Sequence, residues 1–482
     1  MNVQSKGVSR RQILKWGSLG ASTALLAACA PQVVTQQVEV TRQVEVEVTR
    51  QVEVEKTVEV EKKVEVQVTA APEAATLNVL WANWGDLYNG LMENVGVNYT
   101  ATNPNVTVKW EFNQEWKAKL LTMIAAGTPP DMNYVNLMTN SSLANEGALL
   151  PLDSYMVLTG LKREDFITAQ WDASMWDGKL YACPGGADFL ALFYNEDVMV
   201  DAGLDPKKPP ASADEFIQQS LAILQKDSSG TITRLGWSPD AYQYKQWGFL
   251  FGGEWYDYRN QKVTADNPAN IEALNWIKSY VDKLDPDQLT AFTSSQPGFY
   301  SPGNTFATKK SGYQYDGFWA YDALDQYAPD IKYGVGFYPT KTGKPEERKD
   351  YWIQGWMVAM PANGKQPDAT WDFLSYGFVD EAWKTGCDTL NGNCVIAQMP
   401  KFEECLATKL GPENRITPYL NVFADTGLIG TKFWPAMPVN ALYDEEVTRA
   451  YDFVIRGEKT AEQALAEVNQ TVQAELDKVL SS

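Results

Sequence analysis

Histidine is absent from all 482 residues. That absence removes the commonest general base, the Ser-His-Asp and Cys-His nucleophile systems, and most zinc and iron sites. Chemistry that needs only carboxylates, such as glycoside hydrolysis, is untouched by it. Basic residues are also short, 41 Lys and Arg against 61 Asp and Glu. A formal charge of −20 argues against nucleic acid as a partner and against adsorption to anionic lipid. Cysteine is scarce at five, with no CxxC pair to suggest metal or redox work. No metal or cofactor is expected.

Aromatic residues are plentiful, including 17 Trp and 23 Tyr. Such rings serve either a core or a surface that meets apolar and sugar faces. The first residues read as an address. Ser9-Arg10-Arg11-Gln12-Ile13-Leu14-Lys15 is a twin-arginine signal, and Trp16 to Ala28 is an apolar stretch too short to span a membrane. Leu26-Ala27-Ala28-Cys29 matches a lipobox, which makes Cys29 the expected acylated N-terminus and the expected location a membrane-anchored one outside the cytoplasm. Four basic and no acidic residues precede Cys29, so cleavage there takes the charge from −20 to −24. An uncleaved membrane anchor is the alternative.

Residues 30–75 are low in complexity. From Val34 to Val68 every valine falls on an even number, and the even positions without valine are Gln36, Arg42, Arg50, Lys56 and Lys62. Period two is a strand pattern, here interrupted by charges that discourage edge pairing. An extended spacer or a self-paired β-stalk would both carry it, reaching on the order of 150 Å if fully extended.

About 400 residues follow, more than one core usually holds, so two lobes are expected. Leu77 to Trp81 predicts a strand, Leu87 to Thr102 a helix, Val106 to Phe112 a strand, Glu115 to Ala126 a helix, and Asp131 to Val135 a strand. This alternation predicts an α/β sheet with ligands beyond the carboxyl ends of its strands. Capping boxes at Ser212–Glu215 and Thr460–Gln463 predict two scaffold helices. The stretch 178–198, GKLYACPGGADFLALFYNEDV, places a glycine joint and the lone carboxylate of Asp188 between two apolar runs. For the cysteines, a Cys387–Cys394 bridge around Asn391-Gly392-Asn393 is the first expectation, and buried free thiols the second.

In this order the segments resemble the extracellular solute-binding proteins of ATP-binding-cassette (ABC) sugar importers, the family that includes maltose-binding protein. The stretches that carry the resemblance include VLWANWGDLYNGL (79–91), AAGTPPDMNYVN (125–136), WDGKLYACPGG (176–186), FYNEDVMVDAGLDP (193–206), FGGEWYD (251–257), FATKKSGYQYDGFWAY (306–321) and AMPANGKQPDATWDFLSY (359–376). The resemblance implies a two-lobed type II periplasmic-binding-protein fold with a cleft between the lobes. Lobe 1 would comprise 76–187 and 353–435, and lobe 2 would comprise 188–352 with C-terminal helices from 436–482 on it. The chain would cross at Pro184-Gly185-Gly186-Ala187 and return through Tyr351 to Trp356.

The resemblance further implies a carbohydrate ligand, an ABC permease as partner, a monomer, and no catalysis. Contacts expected on this basis are Trp84, Asp86, Asn136, Asp188, Trp255, Asp316, Trp319, Gln354 and Trp356, with Trp434 and Tyr443 behind them. Asp86 could instead cap its helix, and Trp255 and Trp319 could pack the core. Asp131 is read as capping local backbone and Trp81 as core. Three rival readings stay open: an exported carboxylate-dependent glycoside hydrolase, the same fold binding a peptide, polyamine or anion, and a sensory module.

Overall fold

The computed structural model describes residues 74–294 and 301–481. The signal, Cys29 and all of the Val/Glu repeat up to Glu73 lie outside the described residues, while Ala75 already belongs to the first strand. That strand, β1 (Ala75–Ala82), begins with alternating burial and is covered on both faces from Val79 onward. Such a pattern belongs to a strand with neighbours on both edges. It lies parallel to β2 (Val106–Asn113) on one side and to β3 (Met132–Asn136) on the other. Asp131, just before β3, does not cap local backbone. Its carboxylate accepts from the backbone and side-chain amides of Asn78 at 2.8 and 3.2 Å, tying two neighbouring strands together.

Five further strands complete two sheets: β4 (Ala182–Asp188), β5 (Leu190–Asn195), β6 (Tyr313–Gly317), β7 (Tyr333–Gly336) and β8 (Gln354–Ala359). The first sheet has the order β2-β1-β3-β8-β4, with β8 antiparallel to both neighbours. The second is β6-β5-β7, antiparallel throughout. Between the sheets stands one residue, Phe189, fully buried. Its ring is wedged so closely that a Cβ on Gly427 would lie 2.1 Å from it. The crossing point therefore falls at Asp188-Phe189, beyond the glycines. Gly185 and Gly186 sit inside β4 without positive φ, and their missing side chains leave room for the indole of Trp356.

Helices flank the sheets: α1 (Asp86–Thr102), α2 (Trp116–Ala125), α3 (Thr168–Ala173), α4 (Ala213–Ile223), α5 (Ala241–Leu250) and α6 (Pro268–Leu284) come first. Then follow α7 (Ala320–Tyr327), α8 (Ala382–Thr389), α9 (Met399–Leu410), α10 (Leu420–Ile429), α11 (Asn440–Ile455) and α12 (Ala461–Ser481). The expected capping box of α4 is present, with Ser212 and Glu215 satisfying each other's backbone amides. Thr460 and Gln463 do the same before α12, which buries Leu465, Val468, Val472 and Leu476. α12 packs on α11 and α6, and α5 packs on α6 and α11.

The disulfide is Cys387–Cys405, joining α8 to α9, and not Cys387–Cys394. Gly392 lies against Ala187, close enough that a Cβ would meet its carbonyl at 2.0 Å. This draws the 391–395 loop onto the edge of the first sheet, where Cys394 is a buried free thiol alongside Cys183. The packing of α8 on α9 brings the partners' Cα atoms to 6.1 Å. Among the described residues no helix is long and apolar enough to cross a membrane.

Candidate functional site

The most concentrated chemistry lies where the chain passes between the two sheets. β4 ends on Asp188, and β8 begins on Gln354 directly opposite it in the register. Gly355 follows at φ 148°, where a Cβ would meet the carbonyl of Gly186 at 2.1 Å. Only glycine permits this approach of β8 to β4. Behind them Gln170 of α3, fully buried, donates its Nε2 to the Gln354 carbonyl at 2.5 Å. From the second sheet Asp316 enters on β6, opposite Ala191.

The two carboxylates share one environment. Burial first, and then the charge of Asp316, push Asp188 up to about 7. Burial pushes Asp316 up to about 6, opposed by hydrogen bonds from the Gln314 side chain, the Gly317 amide and Trp319. Phenols surround the pair. Tyr134 on β3, Tyr315 on β6 and Tyr242 on α5 are each held above the ordinary phenol range, by burial first and with Asp188 as a further cause. Tyr242 keeps 37% of its surface. Its hydroxyl accepts a hydrogen bond from Nε2 of Gln354, so α5 touches the start of β8, and its ring lies 5.2 Å from Trp352.

Aromatic faces extend the set. Trp84 is half-buried and edge-on to Tyr134 at 5.5 Å, with Trp356 at 5.9 Å. Trp319 is half-buried at the start of α7, folded back so that a Cβ on Gly317 would lie 2.2 Å from its ring. Together these groups offer carboxylate acceptors, phenolic donors and rings for C–H faces, which is the equipment for binding a polyhydroxylated molecule. Among the described residues no group of three acidic or cysteine side chains could hold a metal ion. The grooves lined by Thr231 and Lys310 and by Lys207 and Glu215 share no residue with this set.

The structure thus brings together Asp188, Asp316, Trp319, Gln354 and Trp84 from the expected contacts. Trp356 joins them by its edge and is otherwise core, 4% exposed. Asp86 is exposed on the first residue of α1 and does not cap it; Gly85 occupies the cap position. The amide oxygen of Asn136 is engaged within its own turn by Met138 and Thr139. Trp255 is a core residue at 1% exposure, packed on Trp434 and Tyr244 with its indole N–H donated to the Lys245 carbonyl. Trp434 and Tyr443 are fully buried in the same cluster. Sequence reasoning missed Tyr134, Tyr242, Tyr315 and Gln170. The period-two spacing of Tyr313, Tyr315 and Gly317 was the one signal that could have found Tyr315.

Residues 81–382, more than half of the chain, match the bacterial extracellular solute-binding protein family. The chain belongs to that family. A binding protein of Brucella abortus (strain 2308) is 28% identical over 327 residues, which cover 64% of this chain and 74% of the relative. The arabinooligosaccharide-binding protein of Bacillus subtilis (strain 168) is 22% identical over 381 residues, 74% of this chain and 82% of its own. Among solved structures, the mannobiose-bound protein CpMnBP1 superposes with a TM-score of 0.68 at 23% identity. That alignment covers 83% of this chain and all of the other. The two sheets joined at Phe189 are therefore those of a type II periplasmic-binding-protein fold. In this solute-binding protein the carboxylate and aromatic set lies at the junction of the two sheets.

Proposed function

We propose that this protein captures a carbohydrate between two lobes and delivers it to the permease of an ABC importer, without catalysing a reaction. The observation that carries the reading is the pairing of Asp188 with Gln354 at the point where both crossing strands meet, ringed by Trp84, Tyr242, Tyr315 and Trp319. A group at the crossing feels both lobes, so a ligand held there favours the closed arrangement by its extra contacts. The arabinooligosaccharide relative and the mannobiose-bound neighbour support a sugar as the ligand. On this reading lobe 1 is built from 76–187 and 353–435, lobe 2 from 188–352, and the C-terminal helices rest on lobe 2.

The twin-arginine stretch and Cys29 support export and lipid anchoring, with the Val/Glu repeat as a spacer between the membrane and a monomeric binding unit. Purified protein screened by thermal shift against a saccharide library tests the central claim. A ligand at a hundredfold excess over its Kd stabilises by about 2.7 kcal/mol, so a binder should stand clear of the baseline. Flat melting curves with every saccharide, beside a shift from a peptide or polyamine, would transfer the fold to another ligand.

The raised pair Asp188 and Asp316 favours one second reading, a glycoside hydrolase with Asp188 as its acid. Incubation with oligosaccharides followed by chromatography separates the two, since a binding protein returns its ligand intact.

A further inference from the structure

The return segment from Tyr351 to Gly355 is gripped by different elements at its two ends. On α5, Tyr242, Gln246 and Phe249 fall at helical spacing on one face, and Trp352 and Gln354 meet them at the two-residue spacing of an extended chain. Fully buried Gln246 accepts the N–H of Trp352 at 2.9 Å, Phe249 lies 6.4 Å from the Trp352 ring, and Tyr242 accepts from the Gln354 side chain. One position earlier, the Tyr351 hydroxyl donates to the Tyr338 carbonyl, just beyond β7, at 2.5 Å. α5 goes with the second sheet. Its Trp247 lies 5.9 Å from Phe216 of α4, whose ring is 5.2 Å from Tyr313 of β6.

Gln354 is held from the other side. Its backbone pairs with Asp188 of β4, and its carbonyl accepts from Nε2 of Gln170 at 2.5 Å. Gln170 goes with the first sheet: it is fully buried on α3, α3 packs on β4, and Ser174 just after α3 donates to the Met357 sulfur of β8 at 2.7 Å. Ile353 stands between the two grips, with its N–H on the Lys432 carbonyl at 2.8 Å. The torsions from Ile353 to Gln354 are therefore where an angle between the sheets can change. The Tyr242–Gln354 bond spans that place, joining a residue whose backbone is fixed to the first sheet to a helix that goes with the second.

We infer that Gln354 is a clasp between the lobes, made when they close and broken when they open, and that Gln170 is the positioning residue that aims it. This rests on the two-lobed reading of the protein and goes beyond it, because part of the closure is then driven by the protein's own groups and not by the guest. Gln170 is enclosed and does not face the gap. By pinning the carbonyl of Gln354 it fixes the direction in which that side chain leaves the strand. A buried amide that served packing alone would set stability, whereas one that aims the clasp also sets the balance of open and closed forms. A neutral hydrogen bond of ordinary net strength shifts such a balance roughly two- to tenfold.

Double electron–electron resonance on the purified chain, with no saccharide added, reads that balance. Nitroxides are carried on p-acetylphenylalanine at two exposed positions, Val97 of α1 and Val200 of the helix Glu196–Asp201 that follows β5. The parent chain should show a population at the separation seen in this structure. Tyr242→Phe, which keeps the ring, should lower that population at least twofold relative to any other, and Gln354→Met should do the same. Gln170→Met and Gln170→Asn, each verified as folded by circular dichroism, should match them, and Gln170→Met combined with Tyr242→Phe should go no further than either alone. A Tyr242→Phe distribution identical to the parent's overturns the clasp. A shift with Tyr242→Phe but none with the Gln170 variants, or effects that add in full, overturns the positioning role. No sugar enters the experiment, so either failure leaves the carbohydrate reading to be decided by the thermal-shift screen.

Discussion

Gly186 leaves the space that Trp356 fills: a Cβ on this glycine would stand 2.5 Å from Cε2 of the indole. The two residues are partners in the register of β4 and β8. The ring has nowhere to move, because Trp81 meets it at 5.2 Å and Phe378 at 5.7 Å. Gly186→Ala should therefore cost about 1–3 kcal/mol, the usual penalty of overpacking. Urea denaturation would show it as a lower midpoint, and combining it with Trp356→Phe should cost less than the two changes added. An unchanged midpoint would mean that the ring has slack at this place.

Asp188 makes stability depend on pH in the direction opposite to a salt-bridged carboxylate. The folded chain holds its proton up to about pH 7, while the unfolded chain releases it near 3.8. Between those values the unfolded state binds fewer protons, so stability falls as pH rises through the window and levels off above it. Asp316, raised to about 6, adds to the same slope, and the two titrate as a pair. Asp188→Asn should accordingly change stability little at pH 4 and raise it above pH 7. Each tenfold difference in proton affinity between folded and unfolded chain is worth about 1.4 kcal/mol, so the gain is on the order of a few kcal/mol. Denaturation curves at pH 4, 5.5 and 7.5 decide the matter; a gain equal at all three contradicts the assignment.

The disulfide offers a separate check, because Cys387 and Cys405 stand 18 residues apart. Closing a loop of that length stabilises by about 3 kcal/mol through the unfolded chain. Cys405→Ser should lose about that much, whereas Cys394→Ser leaves the link intact. Peptide mapping without reductant should recover the segments around 387 and 405 as one species. Recovery of a 387–394 species instead would refute the pairing.

How much could be read beforehand follows from the range of each interaction. β1 to β3 and the starts of α4 and α12 were legible because strand period, capping boxes and stop signals act within a few residues. Asp188 was legible because a lone acid between two apolar runs needs a reason. The glycines before it look like a joint, since nothing local reveals a tryptophan arriving from 170 positions away along the chain. Trp255 follows two glycines and looks like a loop residue, but α11 and the segment before it fold over it. Tyr242 and Tyr315 are two of 23 tyrosines, and only the meeting of α5, β6 and β8 singles them out. The choice between Cys394 and Cys405 was settled by helix packing, which spacing does not encode.

Trp255 and Trp319 carry one expectation in the sequence, and the structure gives them two roles. Trp255 is enclosed by Tyr244, Trp434 and Tyr443, and its carbonyl accepts from the Tyr443 hydroxyl at 2.6 Å. Trp255→Ala should cost about 3–5 kcal/mol, the range for emptying a large aromatic from a core. Trp319 is only partly buried, so Trp319→Ala should cost only about 1 kcal/mol in stability. Its affinity for whichever saccharide the thermal screen returns should fall by about tenfold or more, as for a stacking residue at the centre of a site. Denaturation and calorimetry on both variants read the two effects separately. Should Trp319→Ala bind the saccharide as tightly as the parent chain, the ligand does not lie against this ring, and the part of the junction facing β6 loses its claim as a wall of the site.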